Sequence, residues 1–275
     1  MNGAELLLDT LVASGVEVCF SNPGTSEMQL VSAIGNHDGM RNILCLFEGV
    51  VSGAADGYAR MKDKPALTLL HLGSGFSNSM ANLHNAKRAN TPVVNVVGDH
   101  ATYHLQYDTP LTSDVTAHAK ICSDWVKVSL SADDLARSGA EAVSASMQGS
   151  GRIATLVAPA NHAWEETSGE VHTASGPESS PVPDSRISVV AEALSNGKAS
   201  ALLLGGTALR EKSLKTAGRI AKATGARVLG ETFAARLQRG AGRFAVERLQ
   251  YFAEHAGEQL AGMKQIILVG TRAPV

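Results

Sequence analysis

The chain has 275 residues, enough for one large domain or two smaller ones, and 44% of them are hydrophobic. The formal net charge of −2 argues against nucleic acid or an anionic membrane surface as the main partner. The sequence begins without a signal-peptide pattern, and no apolar run reaches a membrane-spanning length. Cys19, Cys45 and Cys122 lie in or near apolar segments, which predicts buried, reduced thiols in a cytoplasmic protein; their spacing does not suggest a zinc site.

In the first part of the chain, short apolar segments alternate with helical patterns, as in parallel α/β sheets. The predicted elements in chain order are helix 1–14, strand 16–21, helix 26–34, strand 43–47, helix 49–60, strand 66–71, helix 82–88, strand 93–98 and strand 153–158.

Between Glu165 and Ser185 the composition shifts to Glu, Ser, Thr, Gly and Pro, which is typical of an exposed linker. A second α/β pattern follows, with helix 187–194, strand 200–204, helix 211–224, strand 227–230, mostly helix over 244–263 and strand 265–270. We therefore predict an α/β protein with a first domain over residues 1–165, a linker over 166–186 and a partial second domain over 187–275.

Glu48 is the first candidate functional residue. It follows the apolar run 43–47, which we predict to be a buried parallel strand, and it precedes a helix with small residues at Gly53, Ala54 and Gly57. Open α/β folds bind ligands at the carboxyl ends of their strands, where Glu48 would lie. The alternative is a structural role, because acidic residues in a first helical turn complement the helix dipole.

The segment 47–60 closely resembles the pyrimidine-binding domain of thiamine-diphosphate-dependent enzymes. Three further segments, 15–25, 69–78 and 91–99, agree with that family in order and spacing. The resemblance extends to about residue 165 and points to the acetohydroxyacid synthase and benzoylformate decarboxylase family. It implies a parallel-sheet pyrimidine-binding domain followed by an incomplete Rossmann-like central domain.

This resemblance also implies a cofactor and a substrate class. Thiamine diphosphate would be the cofactor, Glu48 would hydrogen-bond its aminopyrimidine ring, and the enzyme would be a decarboxylase or carboligase for a 2-keto acid. In this family a further domain with a Gly-Asp-Gly motif binds the diphosphate and Mg²⁺. No Gly-Asp-Gly occurs here, so we expect this chain to be the amino-terminal half of such an enzyme, inactive alone. Whether the central domain binds FAD stays open, since Gly205-Gly206 lacks the fuller glycine fingerprint.

The family further implies an assembly. Its cofactor lies between the pyrimidine domain of one subunit and the diphosphate domain of another. We therefore expect a homodimer or homotetramer, with the helices that carry Gly53, Gly57 and Asn82 at the interface.

His71 and Thr25 are the next candidate catalytic residues. Benzoylformate decarboxylase has an active-site histidine at the position of His71 and a serine at that of Thr25. An imidazole could donate a hydrogen bond to a substrate carboxylate or relay a proton near neutral pH. The alternatives are a structural histidine at a strand end and a turn residue that caps the next helix.

Four more residues are candidates for cofactor binding by the same resemblance. Pro23 and Gly24 belong to the turn that contains Thr25. Asn78 and Asn82 would line the cofactor pocket or cap the next helix.

One departure from the family counts against acetolactate synthesis itself. Acetohydroxyacid synthases carry Phe-Gln-Glu where this chain has Pro110-Leu111-Thr112. His100, His104 and His118 are irregularly spaced, so no metal site is predicted. Two other classes stay open, a non-catalytic pyrimidine-domain partner or scaffold protein, and a flavin- or nicotinamide-binding protein built on the second unit.

Overall fold

Parallel β-sheets flanked by helices form both parts of the chain, which confirms the predicted α/β fold class. The computed structural model describes residues 1–177 and 181–274. The chain divides into two units, Met1–Glu178 and Ser179–Val275. None of the described helices combines the length and the apolar character that a membrane span requires.

The first unit contains one parallel sheet. The elements in chain order are α1 (Gly3–Ala13), β1 (Val18–Asn22), a one-turn helix (Thr25–Glu27), α2 (Met28–Gly35), β2 (Arg41–Leu44), α3 (Glu48–Lys62), β3 (Ala66–His71), α4 (Leu72–Arg88), β4 (Val93–Asp99), a one-turn helix (Leu105–Tyr107), α5 (Val115–Cys122), β5 (Trp125–Val128), α6 (Ala132–Ser146), β6 (Ile153–Pro159) and α7 (Ala160–Trp164). The strands follow the order β2-β1-β3-β4-β6-β5 in the sheet.

Two apolar cores cover the two faces of this sheet, because a parallel sheet is buried on both sides by its crossover helices. Leu7 and Leu11 of α1 belong to one core, and Phe76 and Leu83 of α4 belong to the other. The three cysteines are free and buried, as predicted.

A hydrogen-bonded row of polar side chains crosses the middle of the sheet. Thr68 Oγ1 donates to Asn95 Oδ1 at 2.7 Å, and Asn95 Nδ2 donates to Thr155 Oγ1 at 2.9 Å. All three side chains are fully buried. Since an unpaired buried polar group is costly, this row stabilises one register of β3, β4 and β6.

The prediction of a buried strand over residues 43–47 is wrong. β2 ends at Leu44 and lies at the edge of the sheet, and the side chains of Leu44 and Leu46 are 66% and 93% exposed. An apolar run predicts a strand but carries no information on whether that strand has a neighbour on each side.

Residues 72–81, for which no element was predicted, are helical. α4 begins at Leu72, so the predicted helix 82–88 is only its last part. The first turns of this helix consist largely of small residues and lack the regular spacing of apolar residues that predicts a helix. The sequence pattern also did not predict α5, β5 and α6, which lie between the predicted strands 93–98 and 153–158, or α7, which follows the second of these strands.

The second unit also contains a parallel sheet. Its elements are α8 (Asp184–Ser195), β7 (Ser200–Leu204), a one-turn helix (Gly206–Leu209), α9 (Glu211–Thr224), β8 (Arg227–Gly230), β9 (Glu247–Arg248), α10 (Ala253–Leu260) and β10 (Gln265–Val269). The strands follow the order β10-β7-β8-β9 in the sheet. The predicted helix 244–263 is wrong, because Glu247 and Arg248 pair with β8 and only α10 is helical. The sheet therefore has a fourth strand that the sequence pattern did not predict.

The predicted linker is exposed at most positions, yet its first part is hydrogen-bonded to α1 and its surroundings. The amides of His172 and Ala174 donate to Thr10 Oγ1 and Ser14 Oγ at 3.2 and 2.9 Å. Residues 178–180 of the predicted linker lie outside the described residues.

Asp134, in the first turn of α6, has a strongly lowered pKa. Its side chain is 3% exposed, and it accepts hydrogen bonds from the Leu130 amide at 3.0 Å, from Ser138 Oγ at 3.1 Å and from Arg137. Burial by itself would raise the pKa of Asp134, but these donors and the nearby Lys127 lower it to about 2.

We therefore predict that Asp134→Asn lowers the free energy of unfolding by about 2 kcal/mol at neutral pH. A carboxyl group with a lowered folded-state pKa stabilises the protein above its unfolded-state pKa and loses this contribution as the pH falls through the folded-state value. The difference from wild type should thus shrink between about pH 5 and pH 2. Urea unfolding at several pH values measures it, with the exposed Asp133→Asn as the control. Equal stabilities at pH 7 would contradict the prediction.

Candidate functional site

Three neighbouring strands of the first sheet end side by side. β1 ends at Asn22, β3 at His71 and β4 at Asp99, and His71 pairs in register with Gly98. α3 begins at Glu48, just beyond the end of β2. The structure thus places the candidates Glu48 and His71 at the carboxyl edge of the sheet, where open α/β folds bind ligands.

Glu48 is held by side chains of α4. Asn78 Nδ2 donates to Glu48 Oε2 at 3.0 Å, and Ser79 Oγ donates to the Glu48 carbonyl at 3.1 Å. Asn78 lies in the body of α4, so its predicted alternative role as a helix cap is excluded. Glu48 is half-buried, which leaves its carboxylate accessible to a ligand.

Gly75 lies between Glu48 and His71. A Cβ atom added to Gly75 would lie 3.2 Å from Glu48 Oε1 and 3.4 Å from the His71 Cβ. The missing side chain therefore lets both candidate residues pack against the same point of α4. Among residues 1–177 and 181–274, no hydrogen bond to Glu48 Oε1 is seen, so this oxygen is available over the glycine.

His71 is paired with Glu27, a residue that the sequence analysis missed. His71 Nδ1 lies 2.8 Å from Glu27 Oε2, and the Gly24 amide donates to the same oxygen at 2.7 Å. Glu27 is fully buried. Burial raises the pKa of Glu27, although the Gly24 hydrogen bond and the facing His71 oppose the rise.

The second oxygen of Glu27 lies against the backbone of β4. A Cβ atom on Gly98 would lie 1.8 Å from Glu27 Oε1, and this oxygen is buried without a hydrogen-bond partner among the described residues. The spacing between Gly24 and Glu27 could have predicted the role of Glu27 from the sequence. A glutamate three residues after a helix cap commonly accepts a hydrogen bond from the amide of the cap residue.

Leu72 makes the corner between β3 and α4. Its backbone is left-handed, with φ of 51°, although its side chain is 1% exposed and packed in the core. Such a conformation costs a non-glycine residue about 1–3 kcal/mol and persists only where the surroundings enforce it. The corner lets α4 start directly after His71 with no loop between them.

The other candidates are distributed around this site. A Cβ on Gly24 would lie 2.4 Å from the His71 ring, so Gly24 contacts His71, and Pro23 joins Gly24 to β1. Thr25 is exposed at the start of the one-turn helix. Its hydroxyl forms no hydrogen bond with the described residues. Asn82 Nδ2 donates to the Gly49 carbonyl at 2.6 Å, which ties α4 to α3.

His100, in the loop after β4, and His118, in α5, do not join the pair of His71 and Glu27. His100 Nε2 lies 3.0 Å from Thr109 Oγ1, and His118 Nδ1 lies 3.1 Å from Ser77 Oγ. The part of the chain that the structure describes holds no group of residues suited to a metal ion.

Apolar side chains flank Glu48 on the surface. Leu46, Phe47 and Val50 are 93%, 51% and 55% exposed. A cluster of exposed apolar side chains is typical of a surface that a partner or a ligand covers.

Comparisons with known proteins point to one family. Residues 1–120 match the family described as thiamine pyrophosphate enzyme, N-terminal TPP binding domain. A Mycobacterium tuberculosis protein named "Putative acetolactate synthase large subunit IlvX" is 51% identical over 276 residues, which cover 100% of this chain and 53% of that protein. Benzoylformate decarboxylase of Pseudomonas aeruginosa is 30% identical over 130 residues, which cover 47% of this chain and 24% of that enzyme.

The chain shares its fold with a solved structure. The crystal structure of benzoylformate decarboxylase from Polynucleobacter necessarius matches with a TM-score of 0.85 and 22% identity, over 98% of this chain and 51% of that one. The chain spans about half the length of the M. tuberculosis relative.

We predict that Gly75→Ala shifts the Glu48 carboxylate while leaving the fold intact. The new methyl group would lie 3.2 Å from Glu48 Oε1, and the carboxylate end of a side chain moves more easily than a helix. Alanine should also raise the stability of α4 by about 0.5–1 kcal/mol. NMR of the Asn78 side-chain amide measures the shift, because this group donates to Glu48.

The matched control is Gly35→Ala at the end of α2, where an added Cβ meets nothing within 4 Å. Asn78 amide resonances that stay at their wild-type positions in Gly75→Ala would contradict the prediction.

Proposed function

We propose that this chain, which belongs to the thiamine-diphosphate-dependent enzymes of the acetolactate synthase and benzoylformate decarboxylase family, supplies the cofactor-activating half of an active site for a 2-keto acid. The observation that carries the proposal is the Glu48 carboxylate, which Asn78 holds over Gly75 at the carboxyl edge of the sheet. Decarboxylation and carboligation begin with the same activation, so both reactions are within the proposal.

The residues present fit the cofactor. Glu48 Oε2 is hydrogen-bonded while Oε1 faces the cradle at Gly75, which an added Cβ would fill. Glu48 and Asn78 would hold the aminopyrimidine ring, with Pro23 and Gly24 forming the neighbouring turn. When bound, thiamine diphosphate supplies a carbanion at its thiazolium ring.

Glu48 would act by holding a proton. A carboxylate beside a pyrimidine ring nitrogen shares that proton in a charge-assisted hydrogen bond, which is stronger where water is excluded. The hydrogen bonds from Asn78 and Ser79 fix the position of Glu48 before a ligand arrives. Such preorganisation avoids part of the cost of aligning the proton-transfer group.

His71 would act on the keto acid. Its Nδ1 faces Glu27 at 2.8 Å, so Nε2 is the nitrogen left to exchange a proton with the substrate or to donate to its carboxylate. Glu27 would set the orientation and the tautomer of the ring, as a buried carboxylate does for many histidines.

The diphosphate group and its magnesium ion would be held elsewhere. The M. tuberculosis relative is about twice as long as the matched region. We propose that a further polypeptide segment, in the same chain or in a second subunit, provides this second half and covers the exposed Leu46 and Phe47.

We predict that Glu48→Gln in the native polypeptide lowers the exchange rate of the thiazolium proton and keto-acid turnover by about 100- to 10,000-fold. Glutamine keeps the size of the side chain and can accept the Asn78 hydrogen bond, but it cannot hold a proton at the ring nitrogen. Proton exchange is measured by NMR in deuterated water, and thermal unfolding shows that the fold is retained.

The control is Glu5→Gln, a glutamate in the first turn of α1 that caps its own helix. If Glu48 only complemented the helix dipole, both variants would lose about 0.3–1 kcal/mol of stability and no activity. Wild-type exchange in a folded Glu48→Gln protein would refute the proposal and favour a non-catalytic role.

We predict that His71→Ala and Glu27→Gln each lower keto-acid turnover by about 100-fold, the low end for a positioned proton-transfer group, while thiazolium exchange stays near the wild-type rate. Both residues would serve the substrate and not the activation of the cofactor. For His71→Ala, the size of the loss in turnover should differ from one keto acid to another. Loss of exchange and turnover together in a folded variant would assign the pair to activation instead.

A further inference from the structure

Glu231 occupies a special place in the second sheet. β8 lies on one side of β7 in the sheet, and β10 lies on the other side. The order in which strands are added to the sheet therefore reverses between β7 and β10. In open α/β sheets, ligands bind at such a point, outside the carboxyl ends of the strands. Gly205 follows β7, Glu231 follows β8 and Thr271 lies just beyond β10.

The Glu231 side chain links these three strand ends. Its Oε1 accepts a hydrogen bond from the Gly206 amide at 3.2 Å, and its Oε2 accepts one from Thr271 Oγ1 at 2.8 Å. A Cβ atom on Gly205 would lie 2.6 Å from Glu231 Oε2 and 2.7 Å from the Thr271 Cβ. The carboxylate therefore lies directly on the glycine turn.

A nucleotide cofactor needs the same position. In dinucleotide-binding folds, glycines after the first strand let the pyrophosphate approach the backbone, and amides of the turn donate to its oxygens. Here the Gly206 amide already donates to a carboxylate, and the space over Gly205 is filled. An entering phosphate would have to displace Glu231 or share the turn with a like charge, which is unfavourable.

We infer that the Glu231 carboxylate takes the place of a phosphate group in this turn. The second unit thereby holds the ends of β7, β8 and β10 together by itself and is closed to flavin and nicotinamide nucleotides. This assignment is independent of the proposed activity of Glu48, because every contact that carries it lies within the second unit.

The test is the binding of FAD and ADP to the whole chain and to two variants, Glu231→Ala and Glu231→Gln. FAD binding is followed by flavin fluorescence and ADP binding by calorimetry. We expect no saturable binding to the wild type up to about 1 mM, and a gain in affinity of at least about tenfold in Glu231→Ala, with a smaller gain in Glu231→Gln, which loses the charge but keeps the bulk.

Glu258→Gln is the matched control, since Glu258 is an exposed glutamate of α10 outside this turn, and it should bind as the wild type does. Saturable FAD or ADP binding to the wild type below about 100 μM would overturn the inference. So would the lack of any gain in folded Glu231 variants. If Glu231→Ala fails to fold, that result supports the role of Glu231 in linking the strand ends. Nucleotide binding to the wild type and to Glu231→Gln then tests whether Glu231 excludes nucleotides.

Discussion

The position of Glu48 depends on hydrogen bonds between the first turn of α3 and the side of α4. Ser79 Oγ donates to the Glu48 carbonyl, Asn82 Nδ2 donates to the Gly49 carbonyl, and Ser52 Oγ donates back to the Ser79 carbonyl at 3.2 Å. Ser52 and Ser79 are fully buried, so losing one partner would leave a buried polar group unsatisfied at a cost of about 1–3 kcal/mol. Two helices that are joined in this way move as one body, and the carboxylate is aligned before it meets a ligand.

The pair of His71 and Glu27 solves a different physical problem. A fully buried carboxylate is unfavourable unless donors surround it, and among the described residues the Gly24 amide and the imidazole provide them for one oxygen, Oε2. The rise in the pKa of Glu27 with burial and the hydrogen bond to His71 act in opposite directions. The Gly24 amide and the His71 ring therefore stabilise a carboxylate that burial disfavours.

Helices and strands that follow from the local residue pattern could be predicted from the sequence. Features that depend on residues distant in the chain could not. The predicted bounds are correct to the residue for β3, β7, β8 and α9. In each of these elements the pattern of apolar residues is uninterrupted and its first and last residues are well marked. The edge position of β2 depends on the absence of a second neighbouring strand, and the burial of Glu27 depends on Gly98, which is 71 residues away in the chain. Asn78 was a candidate, but its bond to Glu48 needed the packing of α4 on α3. The roles of Thr25, Pro23 and Gly24 toward a ligand stay predictions.

The left-handed backbone of Leu72 has a consequence for motion. The conformational energy stored at this corner is released when the first turn of α4 opens, whereas β3 gains nothing from such an opening. The free energy needed to open this turn is therefore about 1–3 kcal/mol lower than for the same turn with an unstrained corner. His71 thus lies between a central strand and a turn in which backbone strain favours opening.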